Sequence, residues 1–121
     1  MKSVNSLNIS NFNTESVTDM TGVFYSCESL MSIDLSSFNT EQVKKMTSMF
    51  YNCIKLESLD LSNFETPALD DFMYMFLNCY SLSSLNISKL DTSQISTMYK
   101  VFGYCYSLIS LDLSNFNTGN V

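Results

Sequence analysis

Apolar residues along this chain change their period once in every unit. Leu30, Ile33, Leu35 and Phe38 read L-x-x-I-x-L-x-x-F, and the alternation at Ile33 and Leu35 suits a short strand with one buried face. Val43, Met46, Phe50 and Cys53 then recur at i, i+3, i+7 and i+10, the spacing of one helical stripe. The switch repeats with a period of 26 residues: Phe24, Phe50, Phe76 and Phe102 form one column, Cys27, Cys53, Cys79 and Cys105 another, Leu30, Leu56, Leu82 and Leu108 a third. Thr14, Thr40, Thr66, Thr92 and Thr118 make a column without exception, and nothing interrupts the frame from Leu7 to Val121.

A gapless period of this length predicts a solenoid rather than a globule with one central core. The units run about 7–32, 33–58, 59–84 and 85–110, with a partial unit at 111–121, in a single domain over 1–121. One strand and one short helix per unit is the leucine-rich-repeat pattern, whose units span roughly 20–29 residues. The expected fold is therefore α/β: a right-handed leucine-rich-repeat solenoid, with a parallel β-sheet on one face and short helices on the other. Each column threonine is expected to cap a helix N-terminus through its side-chain oxygen. Pro67, the one proline, follows Thr66 directly and fits the first helical position.

The best copy runs Ile33-Asp34-Leu35-Ser36-Ser37-Phe38-Asn39-Thr40, then Val43, Met46, Met49-Phe50 and Cys53. It resembles the BspA-type leucine-rich repeat of bacterial surface proteins, known from Listeria, mycoplasma lipoproteins and related host-associated microbes, and the resemblance covers essentially the whole chain. Phe38 and its equivalents stand where the general leucine-rich consensus has Asn or Cys; Leu90 replaces that Phe in one copy, and Leu69 and Ile95 replace Val43. The resemblance implies a cell-surface or extracellular setting and non-catalytic protein binding, usually adhesion to host or matrix.

Of the 121 residues only 15% are charged, and the net charge is −6 with neither His nor Arg. Six lysines, of which only Lys44 and Lys45 adjoin, leave no basic stripe to neutralise phosphates, so nucleic acid is excluded as an expected partner. The longest apolar run, Phe72–Leu77, falls far short of the roughly 20 residues a membrane span needs. Met1–Ser6 has no apolar core, so no signal peptide is expected there. Leu111, Leu113 and Phe116 repeat the interior pattern unchanged, which suggests a fragment of a longer array with end-to-end association.

Catalysis lacks its parts. Without His there is no Ser-His or Cys-His pair, and no Ser stands three residues before a Lys. Single cysteines 26 apart do not make a zinc site. They read as small buried thiols, kept from pairing by helices that pack about 8–10 Å apart. The methionines at 20, 46, 49, 73, 75 and 98 read as core on the helical stripe, and the sequons at Asn8 and Asn86 as chance. No cofactor or metal is expected.

Two surfaces remain as candidates for partner binding. On the open sheet face, Ser-Asp/Asn-Ser triplets recur, with Asp34, Asp60 and Asp112 as charges that would select a basic partner. The same triplets read first as a solvated face whose small hydroxyls bond each other and water. The other surface is a group of tyrosines off the shared pattern: Tyr74, Tyr80, Tyr99, Tyr104 and Tyr106, of which Tyr80, Tyr104 and Tyr106 are the expected affinity residues. The expected function is a non-catalytic protein-binding or adhesion module; the alternative is a passive spacer holding another domain away from the cell surface.

Overall fold

The computed structural model describes residues 5–121; the first part of the stretch read for a leader, Met1–Val4, lies outside them. The chain winds into coils stacked in the 26-residue frame, numbered one to four here by Cys27, Cys53, Cys79 and Cys105. Regular strand is short: β1 (Ser58–Asp60) pairs in parallel with β2 (Ser84–Asn86), Leu59 opposite Leu85. Single parallel bridges join Asp19 to Lys45 and Lys45 to Asp71.

The expected helices do not form. Among the described residues there is no helix, and the α/β leucine-rich-repeat solenoid with helices on one face is corrected by this finding. Backbone hydrogen bonds show why. In coil two, the N–H groups of Met46, Ser48, Phe50 and Asn52 donate to the carbonyls of Asp71, Met73, Met75 and Leu77 in coil three. The N–H groups between them, of Met49, Tyr51 and Cys53, donate three residues back within the coil. Every second amide therefore serves the neighbouring coil, which an α-helix, closing its bonds on itself, could not allow.

The price is left-handed backbone twice per coil. Gly22 and Ser26 in coil one have positive φ, as do Ser48 and Asn52, Tyr74 and Asn78, and Lys100 and Tyr104 in those that follow. Such a residue costs about 1–2 kcal/mol unless it is Gly, Asn or Asp. In coils one to three the N–H of each of these residues donates to the next coil, which offsets the cost. Side chains still turn inward every third or fourth residue: Met46, Met49, Phe50, Cys53 and Leu56 are all buried. That spacing imitates a helical stripe, and it is what misled the periodicity.

Coils sit one strand spacing apart. Phe24, Phe50, Phe76 and Phe102 stack ring on ring at 5.3, 5.8 and 5.8 Å, nearly parallel. Helices packed side by side would stand about 8–10 Å apart. Each such pair adds about 0.5–1.5 kcal/mol beyond the area it buries. Phe38, Phe64 and Leu90 carry the opposite wall of the same core.

The threonine column is not a set of helix caps. Thr66 is 1% exposed; its Oγ1 accepts from the Asp91 N–H at 2.8 Å and donates to the Asp91 carbonyl. Thr14 does the same for Asn39, and Thr92 for Asn117; Thr40 donates to the Glu65 carbonyl. One hydroxyl thus satisfies a peptide unit of the next coil. Each threonine carbonyl also closes a turn, as with Leu69 N–H on Thr66, which puts Pro67 second in a β-turn rather than first in a helix.

Candidate functional site

Asp34, Asp60 and Asp112 are exposed, as expected, but each already has structural employment. Their Oδ1 atoms accept the N–H of Ser36, Ser62 and Ser114 at 2.9 Å. Asn8 and Asn86 do the same for Ser10 and Ser88. The column accepts Asp or Asn because an Asx turn needs one side-chain oxygen and no charge. Ser36 bonds, side chain first and then backbone, hold the Asp34 carboxyl below the usual range, and Ser114 does so for Asp112. Each carboxylate keeps its second oxygen for solvent or a partner. Asp34 and Ser36 border an open recess with Asn8 and Ser10.

Further Asx columns account for much of the Asn and Asp in the chain. Asn13, Asn39, Asp91 and Asn117 accept the N–H two residues on, and so do Asp19 and Asp71. The Asn63 amide spans coils, donating to the Leu35 and Phe38 carbonyls at 3.0 Å.

The cysteines are four free thiols. Cys53 and Cys79 are buried, while Cys27 and Cys105 are partly exposed. Cys53, Cys79 and Cys105 each donate their S–H to the carbonyl of Phe24, Phe50 and Phe76 in the preceding coil, at 3.2 Å. The expected spacing between helices does not separate them, since the described residues form no helix; three of the four sulfurs are engaged with backbone instead. Burial pushes Cys53 up to about 12 and Cys105 to about 11, and raises Cys27 and Cys79 too. Thiols so protonated are poor nucleophiles. Among the described residues no group of three or more His, Cys, Asp or Glu is placed to hold a metal ion. No helix among them is long and apolar enough to cross a membrane.

The three expected tyrosines come together. Tyr80 and Tyr106 stack at 5.6 Å, 16° from parallel, and Tyr104 meets Tyr106 edge-on at 5.9 Å. Ser107 Oγ, donating to the Tyr80 carbonyl, ties the two coils at this point. Tyr106 is 73% exposed and Tyr104 54%. The aspartates lie on another stretch of the coil, so the two candidate surfaces remain separate.

Tyr99 and Lys100, outside the three expected affinity residues, make aromatic contacts of their own. Tyr74 packs edge-on against Tyr99 at 5.4 Å, and Lys100 Nζ lies 5.3 Å from the Tyr99 ring centre. Between Tyr99 and Tyr104 lies Gly103, where coils one and two carry Tyr25 and Tyr51, themselves stacked at 4.9 Å. A Cβ on Gly103 would stand 2.5 Å from Leu77 Cδ1. Leu77, itself buried, therefore lies across the bare backbone of Gly103. The signal for this was present in the sequence, in the one column that passes from Tyr to Leu to Gly.

One family model, described as a Mycoplasma protein of unknown function, DUF285, matches residues 1–105 and again 59–121. No curated protein and no solved structure matches the chain.

Proposed function

The chain belongs to the DUF285 family, and from that membership and its exposed tyrosines we propose that it is a non-catalytic partner-binding module of a bacterial cell-surface protein, with adhesion as its role. The BspA-type resemblance is the finer form of the same reading. Its partner is a protein of host or matrix type, and neither nucleic acid nor a cofactor takes part. The observation that carries the reading is the tyrosine group. Tyr80, Tyr104 and Tyr106 are exposed at 41–73%, and other coils stack without tyrosine in those columns. Large aromatics that the core does not need are the usual anchors of an interface. Asp34, Asp60 and Asp112, each with one free oxygen, would add charge selection.

Replacing Tyr80, Tyr104 and Tyr106 by Ser tests this. Adhesion to immobilised matrix protein should be abolished, with circular dichroism and melting near wild type. Reversing the three aspartates to Lys should slow association more than it speeds dissociation. If adhesion survives both sets, the chain is a spacer holding another domain off the surface. End-to-end association of coils is a second proposed contact, because the amides of one coil are spaced to meet the carbonyls of another. Sedimentation of the 121-residue chain over a range of concentrations would show it.

A further inference from the structure

Every tyrosine of this chain touches another tyrosine. The seven fall into four contacts: Tyr25 with Tyr51, Tyr74 with Tyr99, Tyr80 with Tyr106, and Tyr104 with Tyr106. Two of these differ in kind from the rest. The partners in Tyr25–Tyr51 and in Tyr80–Tyr106 stand 26 residues apart, so their rings lie in register on neighbouring coils. Those rings are 5° and 16° from parallel, with centres 4.9 and 5.6 Å apart. Tyr74–Tyr99 and Tyr104–Tyr106 instead cross at 89° and 62°. Hydrogen bonds hold both parallel pairs in place: the Ser26 N–H donates to the Tyr51 carbonyl at 2.8 Å, and Ser107 Oγ to the Tyr80 carbonyl at 2.7 Å. Tyr25, Tyr80 and Tyr106 are exposed and Tyr51 is half-buried, so each pair is open to an oxidant from solvent.

Phenols give up single electrons, and two stacked phenols join once both have done so. With no Trp in the chain, no indole competes for that role. A haem peroxidase with hydrogen peroxide takes one electron and one proton from each ring. The phenoxyl spin is shared with the ring carbons beside the oxygen. Two such carbons, one from each ring, form a C–C bond, and each passes its hydrogen to its own phenol oxygen as the ring regains aromaticity. The chain loses two hydrogen atoms, and the peroxide takes up two electrons and two protons to leave as two waters. Stacked rings with centres this close already have ring carbons in van der Waals contact. Holding two reactants in that way acts as a very high local concentration, which an edge-on pair does not offer to these carbons. We infer that the in-register pairs Tyr25–Tyr51 and Tyr80–Tyr106 are oxidative cross-link sites, at which a peroxidase-class oxidant forms a covalent C–C staple between one coil and the next. Cross-linking needs no partner protein and is independent of the binding reading.

Hydrogen peroxide with a haem peroxidase, acting on the dilute full chain, is the test. The product should run as a monomer on a denaturing gel, be two hydrogen atoms lighter per link, and show the blue emission of coupled phenols under near-ultraviolet light. Peptide mapping should place the links at Tyr25–Tyr51 and Tyr80–Tyr106. Phe keeps each ring in its stack and removes the phenol, so these variants should fold. Tyr51→Phe should lose the first link and Tyr106→Phe the second, while Tyr74→Phe should leave both in place. The Tyr51→Phe/Tyr106→Phe chain should lose the emission at least about tenfold, since no pre-aligned phenol pair remains. Links that map to Tyr74–Tyr99 or Tyr104–Tyr106 instead overturn the inference, as does emission unchanged in the double variant. Links that grow with protein concentration and appear as dimers overturn it too, because they need no stacking within one chain. So does oxidation confined to Met and Cys. A link at one in-register pair alone overturns the assignment of the other.

Discussion

Thr66→Val isolates the threonine staple. Valine keeps the shape of threonine, so no cavity opens, and what is lost is the hydroxyl between coils three and four. The Asp91 N–H loses its 2.8 Å acceptor and the Asp91 carbonyl its 3.4 Å donor. An unsatisfied buried group costs about 1–3 kcal/mol. The second bond is long, and the Asp91 side of the pair is partly open to water, so the cost should lie near the lower end, about 1–2 kcal/mol. With a urea slope of about 2 kcal/mol per molar, the midpoint should fall by about 0.5–1 M. A lost helix cap would cost about 0.5–2 kcal/mol, so magnitude alone does not separate the two accounts. Location does. Hydrogen exchange should accelerate at the Asp91 amide, one coil away, and Thr66→Ser should restore its protection. Faster exchange at Ala68 and Leu69 with Asp91 unchanged would refute the staple and return the threonine to the role of a cap.

The thiols and the Asx column give two more expectations. Cys53 and Cys79 should resist a thiol reagent in the native chain while Cys27 and Cys105 label first, and denaturation should release four thiols. Because Cys53 is pushed up to about 12, the unfolded chain loses that proton first as pH rises. Stability should accordingly fall from about pH 9 towards that value, and thermal melts of Cys53→Ala should show a shallower alkaline slope. The Asp34 and Asp112 carboxyls are held low, so their contribution is complete above the unfolded value of about 3.9 and is lost as pH falls through the lower folded one. Asp34→Asn should keep the turn and flatten that acid limb. Asp34→Ala should cost stability at neutral pH, and equal melting points for the two would argue against the Asx turn.

Repetition was legible in the residues themselves. A column with the same residue type every 26 positions implies units that stack in register, and the Phe, Thr and Cys columns do stack. Which residues turn inward was also legible, because burial depends on side-chain type: Met46, Phe50, Cys53, Leu56 and Leu59 are all buried. The tyrosines of the last two units stood out as departures from the frame, and all of them but the half-buried Tyr74 are exposed. Conformation between the strands was not. An inward side chain every third or fourth residue fits an α-helix and a ladder of tight turns alike. What separates them is where each amide finds its acceptor. Ser48 and Phe50 find theirs one coil away, at Met73 and Met75, and no window of local sequence contains that partner. The same holds for Thr66, whose hydroxyl has one set of neighbours in a helix cap and another against Asp91, and for Asp60, whose charge is visible in the chain but whose Asx bond to Ser62 depends on the turn being made. Side-chain chemistry determines the columns; only the stacking of one coil on the next decides the backbone between them, because half of its hydrogen bonds are made there.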